Sequence, residues 1–325
     1  MNVAEEFVPR RGMRNPHLQT VLTSLLRRKD QLPPAEDRLF SVEPEVQVLC
    51  HCHWQAQREQ RLTVVIVHGL EGSAESQYVV GNGNKAWAAG WNVVRMNVRN
   101  CGGTERLGPT LYHSGLSADV QAVVRTLIEQ DRLERIALIG YSMGGNLVLK
   151  AAGEWGREAP RQLKALAVVS PGMDLDACAT LLHRWQNRLY ELNFLLSLKR
   201  RLRHKARLFP GRYELARLRG LRSIRDFDDR VTAFYCGFSG ADDYYYRASA
   251  ARVIERIAVP TLLIHALDDP FITITPGSRR LILANPNIHY VETRHGGHCG
   301  FLAEARNGDD GRWAERKILD FFNTI

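Results

Sequence analysis

The sequence lacks the long apolar runs and the leader-like start that would place it in a membrane or outside the cell. None of its apolar stretches approaches the roughly 18 uninterrupted residues of a membrane-spanning helix. The first twenty residues include acidic side chains and no apolar stretch of about 7–15 residues, so we expect neither export nor signal cleavage. A soluble, cytoplasmic protein is therefore expected.

Paired cysteines are also missing. Six cysteines are scattered over 325 residues, and none forms a C-x-x-C pair. The stretch LCHCHW at residues 49–54 holds two cysteines and two histidines, but side chains on a strand alternate between opposite faces, and no second ligand pair follows at a zinc-like spacing. We expect reduced thiols and no bound metal.

Positive charge is concentrated in one segment. The chain has a net charge of +9, and residues 199–225 contain eleven Lys or Arg and a single acid, Glu214. No nucleic-acid-binding motif accompanies this run, so no nucleic-acid partner is expected. Leucines are interleaved with the basic residues, which leaves three interpretations open: a solvated helix face, a contact with an anionic membrane surface, or a guide for acidic substrates.

Short apolar, β-branched segments alternate with helix-like ones along most of the chain. The strand-like segments are RLTVVIVHGLEGS, WNVVRMNVRNCGG, RIALIGYSMGG, LKALAVVSPGMD, VPTLLIHALDDP and NIHYVETRHGG. This alternation predicts an α/β fold with a mostly parallel central sheet and helices on both faces. We predict a core of residues 39–171 and 258–325, with an antiparallel strand pair at 39–60, a helical lid insertion at 172–257 and an N-terminal arm at 1–38.

The stretch GYSMGG at residues 140–145 carries the strongest catalytic signal. It follows a predicted strand and opens a predicted helix, which is the setting of a nucleophile elbow. Gly140 and Gly144 permit the tight turn that presents a side chain at the top of the sheet. Ser142 is therefore the candidate nucleophile, and Tyr141 beside it is expected near the pocket.

A serine hydroxyl needs a base, and in this arrangement the acid and the histidine follow the serine in that order. HALDDPF ends a predicted strand; we prefer Asp269 as the acid because Pro270 favours an extended backbone before it, and Asp268 stays open as the alternative. In TRHGGHCGF, His298 follows two glycines that let the chain turn into the site, so we prefer it as the base. His295 is expected to line the pocket or to make a structural hydrogen bond.

Two backbone N–H groups are candidates for stabilising an oxyanion. Met143 follows the nucleophile directly, and Leu70 lies in the loop HGLEGS, at the end of a strand two strands before the elbow. His68 and Gly69 of the same loop are expected at or just behind the pocket. A nucleophilic Cys299 is the weaker hypothesis because Ser142 occupies the elbow.

Several motifs together resemble the YheT-like branch of the α/β-hydrolase superfamily, over nearly the whole chain. They are RNPHLQT, HGLEGS, NVRNCGG, GYSMGGN, DDP, GGHCGF and, within the insertion, DDYYYRAS. The resemblance implies the α/β-hydrolase fold and a serine esterase, lipase or acyl-ester transferase acting on lipid or short- to medium-chain acyl esters. It supports Ser142, Asp269 and His298 as a catalytic triad.

The leading hypothesis is therefore a serine hydrolase that cleaves carboxylic esters through an acyl-enzyme and needs no cofactor. One alternative is transfer of the acyl group to an alcohol instead of water. Another is a non-catalytic relative that binds a ligand or a membrane through the basic lid. His17 of the NPHLQT motif is expected either to brace the arm against the core or to approach the active site.

Overall fold

The computed structural model describes residues 7–306 and 308–325, and a central sheet organises them. Its strands are β1 (Glu36–Glu43), β2 (Val46–His53), β3 (Thr63–Val67), β4 (Asn92–Met96), β5 (Ile136–Tyr141), β6 (Leu163–Val169), β7 (Thr261–Ala266) and β8 (Ile288–Thr293). They form an eight-stranded sheet in the order β1-β2-β4-β3-β5-β6-β7-β8. Each of the six strand-like segments contains one of the strands β3 to β8.

The sheet is parallel from β4 to β8 along this order, and the antiparallel strands β1 and β2 extend it at one edge. The prediction of a mostly parallel sheet is confirmed. The N-terminal hairpin also agrees with the antiparallel pair expected at 39–60, but β1 begins three residues earlier, at Glu36. Strands β3 and β5 are buried along their whole length, as expected for parallel strands covered on both faces.

Helices cover both faces of the sheet, which confirms the predicted layers. The described helices outside the insertion are α1 (Pro16–Leu25), α2 (Gln77–Ala88), α3 (Ser117–Glu129), α4 (Met143–Trp155), α10 (Pro276–Ala284) and α11 (Trp313–Phe322). Val65 of β3 belongs to a buried cluster that includes residues of α3 and α4. Its neighbours Val64 and Ile66 belong to a second cluster, which includes residues of α2 and α11. Successive residues of β3 thus pack alternately into two apolar layers, one on each face of the sheet.

The segment between β6 and β7 is helical in the structure. It contains α5 (Leu175–Leu182), α6 (Arg188–Leu208), α7 (Ile224–Phe227), α8 (Phe234–Cys236) and α9 (Ala241–Ala248). Leu202, Leu218 and Leu221 are buried in an apolar cluster of this segment. These three leucines of the basic run therefore support the insertion from inside, whereas Leu215 of the same run is 44% exposed.

Within the part of the chain that the structure describes, no helix is long and apolar enough to cross a membrane.

Candidate active site

Ser142 lies at a sharp turn between β5 and α4. Its backbone has φ 53° and ψ −117°, a strained conformation that non-glycine residues rarely adopt. A Cβ added to Gly140 would lie 2.5 Å from the carbonyl oxygen of Gly144, and one added to Gly144 would collide with the backbone oxygen of Val67. The close approach of these chain segments explains why the elbow needs glycine on both sides of the serine.

His298 is held by Asp269. Its Nδ1 lies 2.8 Å from Oδ2 of Asp269, whose side chain is 0% exposed. Because an ionised carboxylate only accepts hydrogen bonds, Nδ1 carries the proton and Nε2 is left to accept one. The other oxygen of Asp269 accepts the N–H groups of Phe271 at 3.2 Å and Ile272 at 2.9 Å, which fixes the carboxylate in place.

Asp268 has a different partner. Its Oδ2 lies 3.1 Å from Nδ1 of His295, and its Oδ1 accepts the N–H of Gly297 at 2.9 Å. His295 thus makes a structural hydrogen bond, and it lies outside the residues that line the two cavities at Ser142. The geometry favours Asp269 over Asp268 as the partner of the candidate base.

Ser142 and His298 line the same cavity, together with Cys299. Ser142 Oγ has no hydrogen-bond partner among the described residues, and Nε2 of His298 lies 3.7 Å from Sγ of Cys299. Catalytic hydrogen bonds are often long before substrate binds. Burial by itself lowers the pKa of His298, but its electrostatic interactions and hydrogen bonds with Cys299 and Asp269 outweigh burial and raise this pKa above its ordinary value.

The two candidate oxyanion donors flank the serine. Leu70, Ser142 and Met143 line one cavity, and the N–H of Met143 belongs to the first turn of α4, where N–H groups have no acceptor within the helix. Gly69 allows the close approach of the Leu70 loop, since a Cβ there would lie 3.1 Å from Cβ of Ser142. The arrangement can place two N–H donors around an oxygen bonded to the carbon that Ser142 attacks.

His68 and two stacked tyrosines hold this loop from behind. Nδ1 of His68 donates to the carbonyl oxygen of Gly69 at 2.7 Å, and its Nε2 accepts the N–H of Val98 at 3.0 Å. Burial lowers the pKa of His68 to about 4, so the ring is neutral and serves as a structural link. The N–H of Gly69 donates to Oη of Tyr78 at 2.8 Å, and Tyr78 stacks on Tyr141.

Glu71, the residue after Leu70, connects the loop of the candidate oxyanion donor Leu70 to α6 through hydrogen bonds. It accepts hydrogen bonds from Nε of Arg201 at 2.8 Å, from Oη of Tyr112 and from Oγ of Ser197. Burial alone would raise the pKa of Glu71, but Arg201 and the hydroxyl donors lower it, so the carboxylate stays ionised. Sequence reasoning missed this pair because its partners are 130 positions apart.

The NPHLQT motif holds the loop that carries the candidate base. Oγ1 of Thr20 accepts the N–H of His298 at 2.9 Å. The fully buried Gln19 donates to the carbonyl oxygen of Leu302 at 3.2 Å and accepts its N–H at 2.9 Å. His17 instead lies against Tyr190 of α6, with Nδ1 3.1 Å from the phenol oxygen. The motif thus positions the histidine loop through Gln19 and Thr20, a role that the sequence alone did not reveal.

We expect Thr20→Val to lower kcat about tenfold and to leave KM nearly unchanged, because an unpaired buried N–H costs about 1–3 kcal/mol and lets the His298 loop shift. Thr20→Ser keeps the acceptor oxygen and should restore most of kcat. Steady-state kinetics of both variants on a soluble ester measure the effect. Equal kcat in Thr20→Val and wild type would show that this hydrogen bond does not position the base.

Two cavities meet at the candidate nucleophile, and Leu70, Ser142, Phe194 and Phe271 line both. The first has a volume of about 140 Å³ and extends under the insertion, where its lining is mostly apolar. The second has a volume of about 440 Å³ and lies between α1 and α6, with His298 in its wall.

Within the described residues, no group of three or more His, Cys, Asp or Glu is arranged to hold a metal ion.

Comparison with known proteins supports this fold and shows the family to which the chain belongs. A family model described as the alpha/beta hydrolase fold matches residues 63–305. "Putative esterase YheT" of Escherichia coli (strain K12) is 36% identical over 323 residues, 98% of this chain and 93% of that protein. Phospholipase ABHD3 of Mus musculus is 31% identical over 244 residues, which cover 74% of this chain and 59% of that relative. A solved structure of the Pyrococcus furiosus esterase Pf2001 shares the fold with a TM-score of 0.58 at 16% identity, covering 89% of this chain and 90% of that one.

Proposed function

This chain is a YheT-like member of the α/β-hydrolase family, and on that basis we propose that it is a serine hydrolase that cleaves carboxylic esters through Ser142, Asp269 and His298. The observation that carries the proposal is a strained elbow serine that shares one cavity with a histidine bound to a buried aspartate. The names of its relatives, an esterase and a phospholipase, support an ester as substrate.

In the proposed reaction, Nε2 of His298 takes the proton of Ser142 as the hydroxyl oxygen attacks the ester carbonyl. The N–H groups of Leu70 and Met143 stabilise the negative oxygen that forms. The imidazolium, stabilised by Asp269, then protonates the departing alcohol. Water, deprotonated by the same histidine, attacks the acyl-enzyme and releases the acid.

We propose a separate cavity for each half of the ester, and the position of His298 supports this arrangement. The leaving alcohol must lie beside the histidine that protonates it, and His298 lines the larger cavity but not the smaller one. The acyl group is then left for the smaller cavity, whose walls include Leu175, Leu182 and Phe227. We propose esters with an apolar acyl chain as the substrate class.

Filling the smaller cavity should shorten the acyl chain that the protein prefers. Ala179 of α5 lines this cavity and is partly buried. We expect Ala179→Trp to lower kcat/KM for an octanoyl ester about tenfold relative to an acetyl ester, since losing pocket contacts costs roughly 1–3 kcal/mol. Val21→Trp, which alters only the larger cavity, is the matched control. An unchanged chain-length profile in Ala179→Trp would contradict the assignment.

The pH profile of kcat/KM is expected to report on His298. The base must be neutral to accept the proton of Ser142, so activity is lost as the pH falls through the pKa of His298. Because this pKa is raised above its ordinary value of 6.5, the acidic limb should lie above pH 6.5. Cys299→Ala removes one cause of the rise and should move the limb to lower pH. A wild-type limb below pH 6.5, or no shift in the variant, would contradict this account.

Hydrolysis and acyl transfer share the same acyl-enzyme, so products must distinguish them. We expect a series of p-nitrophenyl esters to be converted to free acid even when ethanol is present. Ethyl ester as the main product would identify a transferase instead. No turnover of any ester by the folded protein would favour a non-catalytic relative. The loop that carries Leu70 beside Ser142 and the Asp269–His298 pair both argue against that alternative.

A further inference from the structure

Helix α1 presents its apolar face to solvent. Its exposed apolar residues are spaced i, i+3, i+4 and i+7, and they are Leu18, Val21, Leu22 and Leu25. Its buried residues are polar: Gln19, Thr20 and Thr23. A surface helix of a globular protein normally buries its apolar stripe, so this reversed orientation leaves four aliphatic side chains exposed to solvent.

The neighbouring helix α6 also exposes an apolar stripe to solvent. Leu189, Leu192 and Leu196 fall on one stripe and are exposed by 82%, 49% and 50%, and Trp185 just before the helix is exposed by 81%. The stripe continues at the same spacing with the exposed residues Arg200, Arg203 and Arg207. One face of α6 is therefore apolar in its first half and basic in its second.

The two exposed faces meet at the mouth of the larger cavity. Val21 of α1 and Leu189 of α6 are each exposed, and each also lines this cavity. His17 at the start of α1 stacks on Tyr190 of α6 and joins the two helices directly. The apolar surface is thus continuous with the cavity that holds Ser142 and His298.

Positive charge surrounds this apolar centre. Exposed basic residues flank helix α1, precede α6 and continue along the second half of α6. They form no ion pair with another described residue, and they are Arg14, Arg27, Lys29, Arg184, Arg188, Arg200 and Arg203. An apolar face bordered by Lys and Arg is the pattern of segments that lie in the interface of an anionic bilayer. Pairing of two copies through the same face would bring these like charges together.

We propose that one surface of the protein docks on an anionic lipid bilayer. This α1–α6 surface consists of the exposed leucines and valine of α1 and of the exposed tryptophan and leucines of residues 185–196. In this orientation the mouth of the larger cavity opens onto the membrane, and an ester can enter from the lipid without crossing water. The proposal concerns binding alone, so it stands or falls independently of the chemistry at Ser142.

The test is sedimentation with vesicles, using Ser142→Ala protein so that no ester is consumed. We expect binding to vesicles of phosphatidylglycerol and phosphatidylcholine, and much weaker binding to phosphatidylcholine alone or at high salt. Leu22→Glu with Leu25→Glu, and separately Leu192→Glu with Leu196→Glu, should each lower the bound fraction at least tenfold. Leu283→Glu changes a leucine of α10 that is 58% exposed, and it should bind like the parent.

The same double substitutions in the active protein should leave turnover of a soluble acetyl ester unchanged, which shows that they fold. Vesicle binding that persists in both double variants would overturn the proposal, as would no binding by the parent. Sedimentation velocity tests whether a second copy of the chain, instead of a bilayer, covers this surface. A dimer in the parent that the α1 substitutions dissociate would make the surface an interface between copies and would overturn the proposal.

Discussion

Ser142→Ala is expected to lower kcat for ester hydrolysis by about 10⁴-fold or more without unfolding the protein, because it removes the atom that attacks the carbonyl. The substitution keeps the Cβ and the strained backbone of the elbow, so thermal unfolding should change little. Initial rates on a soluble p-nitrophenyl ester, with circular dichroism as the check on folding, measure both quantities.

Cys299→Ala is the matched control, since Sγ of Cys299 lies 3.7 Å from Nε2 of the same histidine. Only Ser142 of these two residues stands beside the N–H groups of Leu70 and Met143 in the cavity wall. The alanine variant of Cys299 should therefore keep most of its turnover at the optimal pH. Loss of activity in Cys299→Ala, with activity kept in Ser142→Ala, would make the sulfur the nucleophile.

Asp269→Asn should also lower kcat by about 10⁴-fold, because the amide no longer holds His298 in the tautomer that leaves Nε2 free and no longer stabilises the imidazolium. Asparagine keeps an oxygen for the N–H groups of Phe271 and Ile272, so the fold should survive. The measurement is kcat at the optimal pH of each variant.

Asp268→Asn is the control for that substitution, because the neighbouring aspartate binds His295 and the N–H of Gly297. It should cost less than about tenfold in kcat, the scale of a lost structural hydrogen bond. A larger loss in Asp268→Asn than in Asp269→Asn would reverse the assignment of the acid.

The strands and the candidate triad could be predicted because their signals are local. Fully buried strands such as β3 and β5 appear in the sequence as short β-branched runs, and each candidate residue follows a strand at a short offset. Parallel strands bring their carboxyl ends to one edge of the sheet, so Ser142, Asp269 and His298 converge without further information.

The supports of the site are long-range and left no local signal. Thr20 meets His298 across 278 positions, and Glu71 meets Arg201 across 130. Residue type alone could not match these partners. Arg201 lies within the basic run 199–225, for which the sequence leaves open a solvated face, an anionic membrane surface or a guide for acidic substrates, and none of these indicates a pairing with Glu71.

Helical periodicity was also ambiguous about direction. The leucines interleaved with basic residues within 199–225 give that run an amphipathic pattern, yet Leu202, Leu218 and Leu221 are buried while Leu215 is 44% exposed. The same kind of pattern in α1 faces solvent, with Leu22 and Leu25 exposed. The helical spacing of apolar residues identifies an apolar stripe, but only tertiary packing decides whether that stripe is buried in the protein or exposed on its surface.

The most direct test of the central claim is labelling with a fluorophosphonate, which reacts with an activated serine and remains attached. We predict one adduct per folded molecule, located on the peptide that carries Ser142, and none in Ser142→Ala. Folded wild-type protein that forms no adduct, or an adduct on a different residue, would contradict the account.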